Sequence, residues 1–141
     1  MFINLPKGKP KVISCGFADV LTQSRWNDVT RQYISTLIPN DEFVKQIFKY
    51  FCEGYEIHIV PHSYANHYDI SEIEKFIKLE KLPIESILYT MTRIKEDAIN
   101  ELKPSIHFDS NKFILRKLPQ SCTGVLVSPC KIIDVFDILS D

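Results

Sequence analysis

At 141 residues, with 45% apolar and 25% charged side chains, the chain has the size and composition of one soluble domain with a substantial core. Its formal net charge of −1 lacks the basic excess of a typical nucleic-acid binder, and no apolar run approaches the ~20 residues a membrane-spanning helix needs. Residues 1–10 lack the apolar stretch of an export signal, and Cys15, Cys52, Cys122 and Cys130 include no CxxC pair, so free thiols in a cytoplasmic or host-cell interior are expected.

Residues 1–10, punctuated by Pro6, Gly8 and Pro10, form a lead-in to a single domain spanning 1–141. The apolar run 11–15 predicts a buried first strand ending in the turn at Gly16. Trp26, Val29, Tyr33, Ile34 and Leu37 then recur at helical spacing, with Arg25, Asp28, Arg31 and Gln32 on the other side. Together with Thr22 and Ser24 as N-cap candidates, this spacing predicts a helix over 24–38. Pro39-Asn40-Asp41 ends it and caps a second helix over 41–53, whose buried stripe is Phe43, Val44, Ile47, Phe48 and Phe51, with Gly54 just past its end.

The β-branched and aromatic stretch 55–60 predicts a strand stopped by Pro61, followed by a polar loop over 62–69. Asp69 or Ser71 caps a helix over 70–80, with Ile70, Ile73, Phe76, Ile77 and Leu79 inward. A third strand is predicted over 86–90, a helix over 93–102, a fourth strand over 105–108 and a fifth over 123–127. Segment 112–118 fits a short helix or an irregular crossover. The tail over 131–141 carries Ile132, Ile133, Val135, Phe136, Ile138 and Leu139, too apolar to leave wet. It either covers a sheet edge or makes a partner surface, a homo-oligomer contact included. The alternation of strands and helices predicts an α/β domain, a three-layer Rossmann-like sandwich with a five-stranded, mostly parallel sheet.

With this order of elements, Leu82-Pro83-Ile84-Glu85-Ser86-Ile87-Leu88-Tyr89-Thr90, then Lys95, then Leu102-Lys103-Pro104-Ser105-Ile106-His107-Phe108-Asp109-Ser110 resembles a minimal, capless member of the haloacid dehalogenase-like (HAD) superfamily. The resemblance spans roughly 11–128. It implies that a strand, a helix bearing a functional lysine (Lys95) and a strand ending in Mg²⁺-holding acid (Asp109) follow one another. The 55–60 strand with its polar loop is similar to the family's second motif.

The departures are large. The family's first motif places Asp-x-Asp before a Gly-Thr-Leu or Gly-Val-Leu turn. Matching Val20-Leu21-Thr22 to that turn puts Gly16 at the nucleophile and Ala18 at the general acid/base. Glycine has no side-chain atom to attack phosphorus, and alanine cannot carry a proton. Mg²⁺, which needs oxygen ligands, loses both carboxylates. The phosphate-binding hydroxyl of the second motif falls on Pro61, with Ser63 two residues on as a substitute. Asp109 remains at the fourth motif, but Ser110 follows it.

The resemblance therefore implies a catalytically silent HAD-like module that binds or regulates, with no cofactor. Lys95 and Ser63 are its candidate anion-binding residues, and a protein partner is favoured over nucleic acid or membrane. The alternative is a divergent Mg²⁺-dependent phosphatase or nucleotide-processing hydrolase, rewired around Asp19 and Asp109 as metal ligands. A third reading is a virus-type accessory protein that assembles through its tail. Cys15, at the end of a buried strand, is expected to be core. His58 and His107, between apolar neighbours, are expected to be hydrogen-bonded structural histidines. The loop His62-Ser63-Tyr64-Ala65-Asn66-His67 is expected to be an ordinary polar loop.

Overall fold

The computed structural model describes residues 11–61, 68–90, 94–127 and 130–131. In chain order the elements are β1 (Val12–Cys15), β2 (Thr22–Asn27), β3 (Gln32–Pro39), α1 (Asp41–Cys52), β4 (Glu56–Ile59), α2 (Ile70–Leu79), β5 (Ser86–Ile87), α3 (Lys95–Leu102), β6 (Ile106–Asp109), α4 (Lys112–Arg116), β7 (Thr123–Leu126) and β8 (Cys130–Lys131). Five strands form one sheet in the order β5-β4-β1-β6-β7, and every pairing in it is parallel. The expected α/β sandwich is thus the observed one. β1 is the middle strand. The chain winds outward from it first to β5 and then to β7, so the winding reverses at β1, where open α/β sheets form their crevice.

Pleating sends alternate side chains to opposite faces, and the two faces of this sheet differ in chemistry. On one, Ile13, Cys15, Ile57, Ile59, Ile106 and Phe108 join Phe43, Ile47 and Tyr50 of α1 and Ile73 and Phe76 of α2 in a single core. The rings of Phe43 and Tyr50 lie 5.2 and 5.8 Å from that of Phe108. On the other face, α3 and α4 bring Ala98, Ile99 and Ile114 into a smaller cluster with Val60. The strand positions beneath them are polar. Ser14 stands opposite His58 on one side and His107 on the other, and His58 stands opposite Ser86.

The largest departure from the sequence-based expectation is segment 24–38, which is not a helix. β2 and β3 form an antiparallel hairpin, with Trp26 opposite Tyr33 and Arg25 opposite Ile34. Two local signals override the helical spacing. Asn27 closes the turn, its Oδ1 accepting from Val29 N at 2.9 Å and Thr30 N at 3.0 Å, while Arg31 adopts φ 54°. The run Gln32-Tyr33-Ile34-Ser35-Thr36-Leu37-Ile38 is rich in β-branched and aromatic residues. Val29, expected in a buried stripe, sits exposed at the tip. Thr22 and Ser24 cap nothing; they lie buried in β2.

The remaining elements fall close to expectation. Asn40 caps α1 by accepting from Phe43 N at 3.4 Å, and Gly54 follows with φ 90°. Asp69 and Glu72 form a reciprocal capping box on α2. Segment 112–118 resolves as the helix α4, and only Ser86–Ile87 of the third strand pairs. Tyr50, not Phe48 or Phe51, completes the buried stripe of α1 with Phe43 and Ile47, leaving Phe51 half exposed. Ile70 and Leu79, expected inward, are exposed at the two ends of α2. β8 lies parallel to β2, and the rest of the tail, 132–141, is outside the described residues.

Candidate functional site at the mouth of the central strand

Gly16 leaves the end of β1 and donates its N–H to the Phe108 carbonyl at 2.9 Å. A Cβ built on Gly16 would lie 3.4 Å from Lys95 Nζ, 3.6 Å from Asp109 Oδ2 and 3.3 Å from Val20 Cγ2. Any longer side chain at this position would project onto the Lys95–Asp109 pair. The sheet thus brings together three of the residues singled out from the sequence. Lys95 opens α3, and Asp109 ends β6 beside β1.

Lys95 is the candidate anion-binding residue, and its amine already has an internal anionic partner. It is not solvated: it is buried, with Nζ 2.9 Å from Asp109 Oδ2. The same oxygen meets His107 Nε2 at 2.8 Å, and Oδ1 accepts from Asn111 N at 3.1 Å. Ser14 Oγ meets His107 Nδ1 at 2.6 Å. Burial by itself pushes the Asp109 carboxyl up, but the His107 hydrogen bond and the Lys95 charge outweigh it, holding the group well below the ordinary carboxylate range. The ionised carboxylate only accepts, so His107 donates through Nε2 and its Nδ1 accepts the Ser14 hydroxyl proton. Burial lowers the His107 pKa, with Asp109 opposing it. The buried chain Ser14–His107–Asp109–Lys95 is therefore satisfied with a neutral imidazole.

The other candidate residues lie elsewhere. Ala18 belongs to the half-buried turn after Gly16. Asp19, at φ 62°, accepts from Ser24 Oγ at 2.5 Å and donates its N–H to Thr22 Oγ1 at 3.1 Å, so it engages the base of the hairpin. Pro61 is buried just beyond β4, and Ser63, with the rest of 62–67, is outside the described residues. Cys15 is core, as expected: burial pushes its thiol up to about 12, against a smaller opposing pull from Lys95. It has no thiolate to offer at neutral pH. His58 is also structural, its Nδ1 2.6 Å from Ser86 Oγ.

Ser14 escaped the sequence reading. Its signal was the polar residue at the same register in VISC and IHFD, the two strands that pair there. Ser14, His107 and Asp109 follow the order of a hydrolytic triad, yet Ser14 and His107 are wholly buried. A nucleophile sealed from substrate positions and does not react. The donor set does not fit Mg²⁺ either. Asp109 has both oxygens engaged by N–H donors, and among the described residues no group of three or more His, Cys, Asp or Glu side chains converges. Among those residues no helix is long and apolar enough to cross a membrane. Comparison with protein-family models, curated proteins and solved structures finds no match to this chain.

Proposed function

We propose that the chain is a HAD-like pseudoenzyme, catalytically silent, that works as a binding or regulatory module with a protein partner. Support for the scaffold comes from a parallel sheet whose winding reverses at β1, with Lys95 and Asp109 meeting beside its mouth. One observation carries the loss of chemistry. The position from which a nucleophile would face that pair is Gly16, whose missing Cβ would stand 3.4 Å from Lys95 Nζ. With no attacking atom at 16 and no proton carrier at Ala18, phosphoryl transfer lacks both of its essential groups. A protein partner is favoured over nucleic acid by the formal net charge of −1.

The test is a Mg²⁺-supplemented assay of the purified chain on p-nitrophenyl phosphate and small phosphoesters. The expected result is no turnover above a heat-denatured control. Turnover that disappears in Asp109→Ala would overturn the proposal and favour a site rewired around Asp109.

A further inference from the structure

At the end of the sheet opposite Gly16, Val12 and Glu56 stand side by side at the starts of β1 and β4. There a cleft of about 320 Å³ opens beside the last turn of α1 and the approach to β5, near the lower limit for sites that hold a small ligand. Phe51, Tyr55, Ile57 and Pro83 give it an apolar lining, and Glu56 and Glu85 give it charge. Tyr55 and Ile57 are buried, Phe51 is 51% exposed, and both glutamates are exposed. Backbone geometry sets these groups around one space. Gly54, at φ 90°, turns the chain from α1 into β4, and Glu85 donates its N–H to the Ile57 carbonyl at 2.7 Å.

Three features favour a cation there. Both charged side chains of the lining are acidic. The C-terminus of α1, the negative end of its dipole, lies at the cleft. The chain's own Lys11 already uses this setting, its Nζ donating to the Glu53 carbonyl at 2.8 Å and standing 5.6 Å from the centre of the Tyr55 ring. Charges flanking the lining are mixed, Lys11, Lys49 and Lys81 against Glu53 and Glu80, and Glu56 Oε2 lies 3.5 Å from His58 Nε2. The sign of the cleft is therefore set by Glu56 and Glu85. Apolar surface continues past it, since Phe48, one helical turn before Phe51, is 38% exposed. A free amine would leave that ring uncovered. We infer that the cleft docks an arginine side chain of a protein partner, with an apolar neighbour of that arginine on Phe48. A planar guanidinium both stacks on an aromatic ring and forks between carboxylates, which an ammonium does not. The inference rests on the proposed function only in taking the partner to be a protein. The phosphoester assay does not involve this cleft, so either can fail alone.

The experiment is a titration of the full, isotope-labelled chain with the peptide acetyl-Phe-Arg-Phe-amide, followed by amide NMR shifts. The expected result is saturable shifts centred on Phe51, Gly54, Tyr55 and Glu85, with a dissociation constant of about 0.1–10 mM for so shallow a site. The same peptide with citrulline, the neutral isostere of arginine, should bind about tenfold more weakly or not at all, as should the arginine peptide to the double variant Glu56→Gln, Glu85→Gln. Phe51→Ala should weaken binding with unchanged circular dichroism, because its ring is half exposed. Agmatine, a free guanidinium of similar reach, should bind more weakly than the peptide. Absent shifts, shifts centred elsewhere, equal binding of the citrulline peptide, or indifference to the glutamate and Phe51 variants overturns the inference. Agmatine binding as tightly as the peptide also overturns it, by making the cleft a site for a free amine.

Discussion

Lys95 Nζ stands 2.9 Å from Asp109 Oδ2 with both side chains almost sealed from water, and His107 Nε2 reaches the same oxygen at 2.8 Å. Exposed ion pairs of this length contribute little, because water screens them and both side chains lose freedom. A buried one behaves differently, since removing one partner strands the other charge in a poorly polarisable surrounding.

Lys95→Met should therefore lower the unfolding free energy by about 3–5 kcal/mol, the usual loss when a buried pair is broken from one side. Urea denaturation followed by circular dichroism measures it. A loss below about 1 kcal/mol would mean that the pair opens to solvent.

Filling the mouth of β1 should be unfavourable in proportion to size. Gly16→Ala places a methyl 3.3 Å from Val20 Cγ2 and 3.4 Å from Lys95 Nζ, and should lose about 1 kcal/mol, in the range for modest overpacking. Gly16→Asp adds a carboxylate that competes with Asp109 for the lysine and should lose more. Thermal denaturation ranks the variants, and equal stability of all three proteins would refute the contact.

Acid should destabilise the fold in two stages. The lowered pKa of His107 means that the unfolded chain takes up its proton first. Its contribution is complete above the ordinary histidine value, about 6.5, and fades as pH falls below it. Asp109 is also lowered, so its contribution is complete above the ordinary aspartate value, about 3.9, and fades below that. Unfolding midpoints in denaturant should stay flat from pH 8 to 7, decline below about 6.5 and decline further below about 4. His107→Leu should remove the first decline. A midpoint that rises on acidification from pH 7 to 5 contradicts the neutral, buried imidazole.

The parallel sheet was legible because its strands are short apolar or alternating runs separated by strong punctuation. Asn40, Gly54 and Asp69 mark helix ends by chemistry that needs no tertiary context. The hairpin was misread because Trp26, Val29, Tyr33, Ile34 and Leu37 satisfy a helical period by coincidence. In an exposed hairpin, turn chemistry at Asn27 and the preferences of β3 outweigh that spacing. At the candidate site, Gly16, Lys95 and Asp109 could be named from the chain, and the fold brings them together. What could not be read was the pair's closure. It depends on α3 crossing beside β1 and on Ser14 matching the register of His107, relations between segments more than 80 positions apart.

The two ends of the hairpin are tied to each other where they join the core. Asn40 donates its backbone N–H to the Leu21 carbonyl at 2.8 Å and its side-chain Nδ2 to the Val20 carbonyl at 3.1 Å, while Thr22 faces Pro39. Closing a loop between fixed ends depends only weakly on its length. The exposed tip at 28–30 is thus free to lengthen or shorten by drift while the central strand keeps its place, leaving this part of the outer surface to evolve on a separate clock from the interior.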